Sequence, residues 1–123
     1  MIETSSPLSR RERSFLRLAV KLAETSQIEP MKHGCVVVKS GSVIGLGINK
    51  NRNQGVEGCE LWEYTVHAEM DALSRCKEQA EGSVVYVARV NMNNKIGLAR
   101  PCDMCYTAMK SLGIKKVIYT DTE

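Results

Sequence analysis

Aromatic side chains are scarce in this 123-residue chain: one tryptophan, one phenylalanine and four tyrosines amount to 5% of it. So few rings give little stacking surface for single-stranded nucleic acid, which makes an RNA or DNA partner the weaker expectation. No apolar run reaches the roughly 18 residues a membrane span requires, and Met1 to Arg10 lacks the basic-then-apolar order of a secretory signal. A cytoplasmic protein with no membrane partner is expected. Neither sign of charge dominates: 17 basic residues against 14 acidic ones leave +3, which does not mark a nucleic-acid binder but suits an anionic small substrate. Cysteine is present in an odd number, five, which argues against a disulfide framework, and of the two histidines, His33 lies far from His67, directly before the first strand run, which argues against a closed Cys2His2 metal site. With 43% hydrophobic and 25% charged residues, the chain has ordinary globular proportions, and its length predicts one domain over residues 1–123.

Ser9 followed by Glu12 is a capping-box signal, and Phe15, Leu18, Ala19 and Leu22 continue it at helical spacing, predicting a first helix from Ser9 to about Ser26. Its Arg10, Arg11, Arg13 and Arg17 read as a solvated face. Cys35–Val38 and Val43–Ile48 are β-branched runs joined by Lys39-Ser40-Gly41-Ser42, a hairpin signal. The polar stretch Asn49 to Tyr64 lacks periodicity and reads as a long loop near a binding site, with Trp62 and Tyr64 as pocket or anchoring residues. A second helix is expected over Ala68–Gln79, a third strand over Val84–Val90, a third helix from Cys102 to Leu112 capped by Gly113, and a fourth strand at Val117–Tyr119. This order predicts an α/β sandwich on a mixed sheet, its later strands parallel through helical crossovers.

The chemistry concentrates at two helix starts. His67-Ala68-Glu69 opens the second helix, and Pro101-Cys102-Asp103-Met104-Cys105 opens the third. Cysteines one helical turn apart reach one ion, and a facing imidazole adds a third ligand, a set that suits Zn2+ with an open fourth position. Cys35, Cys59 or Cys76 as a fourth ligand is the alternative that would close the site. Glu69 stands where a carboxylate at the helix end approaches water beside the metal and carries protons. An acid that merely complements the helix dipole is the plainer alternative.

His-x-Glu followed by Pro-Cys-x-x-Cys resembles the signature of the zinc-dependent cytidine and deoxycytidylate deaminase superfamily, over nearly the whole chain. The resemblance implies a three-layer cytidine-deaminase-like sandwich with a mixed central sheet, here in a short form ending after the fourth strand. It implies hydrolytic deamination at C4 of cytosine or the equivalent carbon of a related base. His67, Cys102 and Cys105 would bind zinc, Glu69 would shuttle protons, the Ala68 N–H would meet the pyrimidine carbonyl and Asn49 the sugar or base. Histidine at the first ligand position points to the deoxycytidylate, guanine and transfer-RNA-editing branches over free cytidine. The leading expectation is a cytosine nucleotide, dCMP, with Lys50, Arg52 and Arg100 as candidate phosphate donors. Cytidine, free or modified cytosine and other nucleobases are the alternatives within that chemistry. A noncatalytic zinc-stabilised binding protein is the alternative outside it. Closure of the pocket falls to the Asn49–Tyr64 loop or a neighbouring subunit, and a homo-oligomer is expected.

Overall fold

The capping box forms as the sequence predicts. Ser9 Oγ accepts the Glu12 N–H at 3.1 Å and Glu12 Oε1 accepts the Ser9 N–H at 2.9 Å, so the first helix, α1 (Arg10–Glu24), starts with two of its free amides satisfied. The computed structural model describes residues 1–28, 31–51 and 65–121. The expected loop residues Arg52, Cys59, Trp62 and Tyr64 lie outside them.

The sheet is built on β2 (Lys32–Lys39), which pairs antiparallel with β3 (Ser42–Ile48) on one side and with β6 (Val84–Val90) on the other. Ser40 and Gly41 form the two-residue hairpin loop with φ of 52° and 79°, both in the left-handed region that suits the twist of paired strands, so glycine belongs there. Strand β8 (Lys116–Tyr119) runs parallel to β6, as the crossover through α3 (Asp103–Ser111) requires. The sequence reading missed one main strand: β1 (Ile2–Thr4) pairs parallel with β8 on its open side, giving the order β1-β8-β6-β2-β3. The sheet therefore has five strands along its path where four were expected, and the fifth comes from the start of the sequence. A two-residue strand, β7 (Ile96–Gly97), adds to β6, and β4 (Lys50–Asn51) pairs with β5 (Thr65–Val66) apart from the main sheet.

Side-chain alternation sends β2 residues to two cores. Val36 and Val38 face α1 with Tyr86, whose ring meets Phe15 at 5.4 Å between centroids. Cys35 and Val37 face the other way, into a cluster with Ala68, Ala72, Leu73, Cys105 and Met109. The second helix, α2 (Ala68–Ser74), lies close over β3, because a side chain on Gly47 would collide with the backbone of Ala68 and Ala72. It is shorter than expected. Ser74 Oγ donates to the Asp71 carbonyl at 2.7 Å, Cys76 leaves the helical backbone with φ −143° and ψ 24°, and a 3-10 turn at Lys77–Gln79 replaces the last predicted turns. This packing sets the start of α2 at the Ile48 end of β3, level with the N-terminal end of β2 and the C-terminal end of β6.

Candidate metal and catalytic site

His67 is the N-cap of α2 and Cys102 the N-cap of α3, both in extended backbone, while Cys105 sits in the first turn of α3. The carbonyls of His67 and Cys102 accept the first helical hydrogen bonds, from the N–H groups of Asp71 at 2.9 Å and Tyr106 at 2.8 Å. Neither cap side chain satisfies its own helix amides, so both stay available for a ligand. The two helix starts converge. His67 Nδ1 lies 3.2 Å from Cys105 Sγ and 3.6 Å from Cys102 Sγ, and one ligand atom from each residue falls within 4.8 Å of the others.

These distances lie within about 0.4 Å of the N···S edge of about 3.6 Å that follows from tetrahedral zinc with bonds of about 2.1 Å to nitrogen and 2.3 Å to sulfur. The donor chemistry agrees. Cys105 is fully buried, and burial, reinforced by the Glu69 and Cys102 charges, pushes its thiol far up. Glu69 is 5% exposed, and burial pushes its carboxyl up as well, against the opposing pull of His67 and of the Cys105 thiol that donates to it. Burial thus disfavours the anionic forms of both groups, and a divalent ion at these three donors would stabilise the thiolates in their place. His67, Cys102 and Cys105 thus form a candidate zinc-binding site with borderline-soft donors. Among the described residues no other group of histidine, cysteine and acidic side chains gathers this closely, so Cys35 and Cys76 lie outside the donor set.

The other residues singled out in the sequence are placed as follows. Ala68 is buried at the first position of α2, where helix amides have no intrahelical acceptor. Asn49 is buried, and its Oδ1 accepts from Ser26 Oγ at 2.6 Å and from the His33 N–H at 2.8 Å, while Nδ2 donates to the Met31 carbonyl at 2.9 Å. Among the described residues one Nδ2 hydrogen has no acceptor. Lys50 Nζ lies 2.8 Å from Asp71 Oδ1. Arg100 is exposed beside Pro101, directly before the cysteine pair. Arg52 lies outside the described residues.

Two residues near the site escaped sequence reasoning. Asp71, buried two positions after Glu69, accepts the Ile48 N–H on Oδ2 at 3.2 Å and so ties α2 to the end of β3. An acid next to the motif was the visible signal. His33 lies inside β2 opposite Arg89, not ahead of the strand as its position before Cys35 suggested. A groove of about 610 Å³ along the outer edge of β3 shares Lys50 and Asp71 but none of the three metal donors.

A family model described as the cytidine and deoxycytidylate deaminase zinc-binding region matches residues 9–121. Deoxycytidylate deaminase of Mycobacterium phage D29 is 31% identical over 85% of this chain and 90% of that protein. Diaminohydroxyphosphoribosylamino-pyrimidine deaminase of Buchnera aphidicola subsp. Schizaphis graminum is 28% identical over 92% of this chain and 69% of that one. The crystal structure of dCMP deaminase from the cyanophage S-TIM5, in complex with dCMP and dUMP, shares the fold at a TM-score of 0.71 and 24% identity, over 96% of this chain and 86% of the other. Sequence family, fold and donor geometry agree, and the chain belongs to the cytidine and deoxycytidylate deaminase family of zinc-dependent hydrolytic enzymes.

Proposed function

We propose that this deaminase acts on a cytosine nucleotide, converting deoxycytidylate to deoxyuridylate and ammonia. The observation that carries the reading is the meeting of His67, Cys102 and Cys105 at one point, with the buried carboxylate of Glu69 beside them. The phage relative, a deoxycytidylate deaminase that this chain matches over nearly its whole length, supports the choice of nucleotide.

In this reading His67, Cys102 and Cys105 hold zinc, which when bound supplies Lewis-acid activation of water near neutral pH. Glu69 moves the protons. Its carboxylate takes one from the attacking water and delivers it to the ring nitrogen, then carries the second to the departing amine, so both water protons are placed and ammonia leaves. The Ala68 N–H, free of a helical acceptor, points the start of α2 at the pyrimidine carbonyl. Asn49 contributes its remaining amide hydrogen to the sugar or base. Lys50, held by Asp71 through one of an ammonium's three donors, serves the phosphate together with Arg52 and Arg100. Among the described residues no helix is long and apolar enough to cross a membrane. The free thiols of Cys35 and Cys76 suit a reducing compartment, which supports a cytoplasmic setting.

The test is ammonia release by zinc-loaded protein from matched cytosine, deoxycytidine, cytidine, CMP, dCMP, dCTP, adenine, guanine and short single strands. Highest kcat/KM on dCMP supports the proposal. Preference for an unphosphorylated compound removes the phosphate assignments, and activity on purines or strands alone overturns the cytosine nucleotide.

A further inference from the structure

The N-terminal end of β2 brings a second histidine to the metal end of the sheet. His33 shares its side of β2 with Cys35 and Val37, the two residues that pack into the cluster holding Ala68 and Cys105. It stands one same-side position before Cys35 on β2, and Cys35 lies opposite Gly47 beneath the start of α2. The backbone of His33 is gripped on both sides: its N–H donates to Asn49 Oδ1 at 2.8 Å and its carbonyl accepts the Asn49 N–H at 3.2 Å. The ring itself has no hydrogen-bond partner among the described residues. It is partly buried, lies opposite Arg89 across the β2–β6 pair, and is close enough to His67 for the two charges to oppose each other. Arg89 is turned aside, with Nη1 donating to the Leu98 carbonyl at 3.3 Å. Among the described residues the ring keeps one donor and one acceptor unpaired, on the side of β2 that faces the His67 end of the sheet and on a strand that cannot shift without breaking the Asn49 clamp.

We infer that His33 is a specificity-determining residue of the deaminase, its imidazole hydrogen-bonding a neutral polar group of the substrate's sugar or base. The phosphate is not its target. Burial, with Arg89 and His67 alongside, keeps the imidazole uncharged near neutral pH, which suits a hydroxyl or carbonyl and not a dianion. The inference rests on the cytosine-nucleotide reading above and adds a residue that the family motif does not contain.

Two variants test it in the zinc-loaded protein. His33→Val keeps a strand-favouring shape and removes the hydrogen bond, and His33→Gln restores a neutral donor and acceptor. The measurements are kcat/KM for dCMP and for deoxycytidine, which differ only in the phosphate, together with dUMP binding by calorimetry. Expected is a loss of about tenfold for His33→Val on both substrates, their ratio unchanged, weaker dUMP binding to match, and partial recovery in His33→Gln. Wild-type rates and dUMP affinity in His33→Val, or loss on dCMP alone, overturn the inference while leaving the function intact. A wild-type protein inert toward both substrates overturns the cytosine-nucleotide reading, and this role for His33 falls with it. A valine variant that fails to fold leaves the glutamine variant to decide, its full loss of dUMP binding and activity being the overturning result.

Discussion

Lys50 Nζ lies 2.8 Å from Asp71 Oδ1, while the other oxygen of the same buried carboxylate holds the Ile48 N–H at 3.2 Å. One side chain of α2 thereby fixes both the last residues of β3 and the first cation beyond them. The pair orients Lys50 without exhausting it, since an ammonium has three donors. Lys50→Met is expected to raise KM for dCMP several-fold and to leave deoxycytidine nearly unchanged, as steady-state kinetics on the two substrates will show. Asp71→Ala is expected to cost about 1–3 kcal/mol in urea unfolding, because it leaves a β3 amide without its charged acceptor.

Gly47 permits α2 to lie on β3. A methyl group there meets the backbone of Ala68 and Ala72, at the turn that carries His67 and Glu69. Gly47→Ala is expected to destabilise the fold by about 1–3 kcal/mol and to lower zinc retention, measured by thermal unfolding and metal analysis after gel filtration. An alanine variant with wild-type stability and full zinc would show that α2 has room to move.

Zinc binding is expected to release protons. Burial keeps the Cys105 thiol protonated in the metal-free chain, so coordination must expel that proton. Calorimetric titration of the metal-free protein with zinc, in two buffers of different ionisation enthalpy, should give a proton release of at least about one per ion. Cys105→Ala should abolish that component and the rise in melting temperature that zinc brings.

Acid sensitivity should trace in part to His33. Burial, with smaller contributions from Arg89 and His67, lowers its folded pKa to about 4 from an ordinary 6.5. The unfolded chain therefore takes up a proton between those values that the folded chain refuses. Its contribution is full above pH 6.5, is lost as pH falls through the window to about 4, and changes no further below it. Urea unfolding of wild type and His33→Gln at steps from pH 7.5 to 4 should show the smaller loss of stability in the variant.

Much of this architecture is legible in short sequence signals, because those signals act locally. Ser9 and Glu12 satisfy each other within one turn, Ser40-Gly41 makes its own hairpin, and His67, Cys102 and Cys105 fall at helix starts that the sequence marks. What escaped depends on distant partners. Three residues, Ile2–Thr4, carry no periodicity and become a strand only because β8 offers an open side. The shorter α2 reflects Ser74 and Cys76 bonding back to the Asp71 and Ala72 carbonyls. Asn49, Lys50 and Arg100 were singled out by type and position, yet the scaffold work of Asn49 appears only once it meets Ser26 and the start of β2, and the pairing of Lys50 with Asp71 only once β3 meets α2.

The most direct test of the central claim compares wild type with Glu69→Gln, both loaded with zinc, for ammonia release from dCMP. The substitution keeps the size of the side chain and removes its capacity to carry a proton. The account predicts equal zinc content, a similar melting temperature, and a kcat lower by about 10²- to 10⁴-fold in the variant. Near-wild-type turnover by Glu69→Gln with zinc retained would contradict it, and the proton carrier would have to be sought elsewhere in the chain.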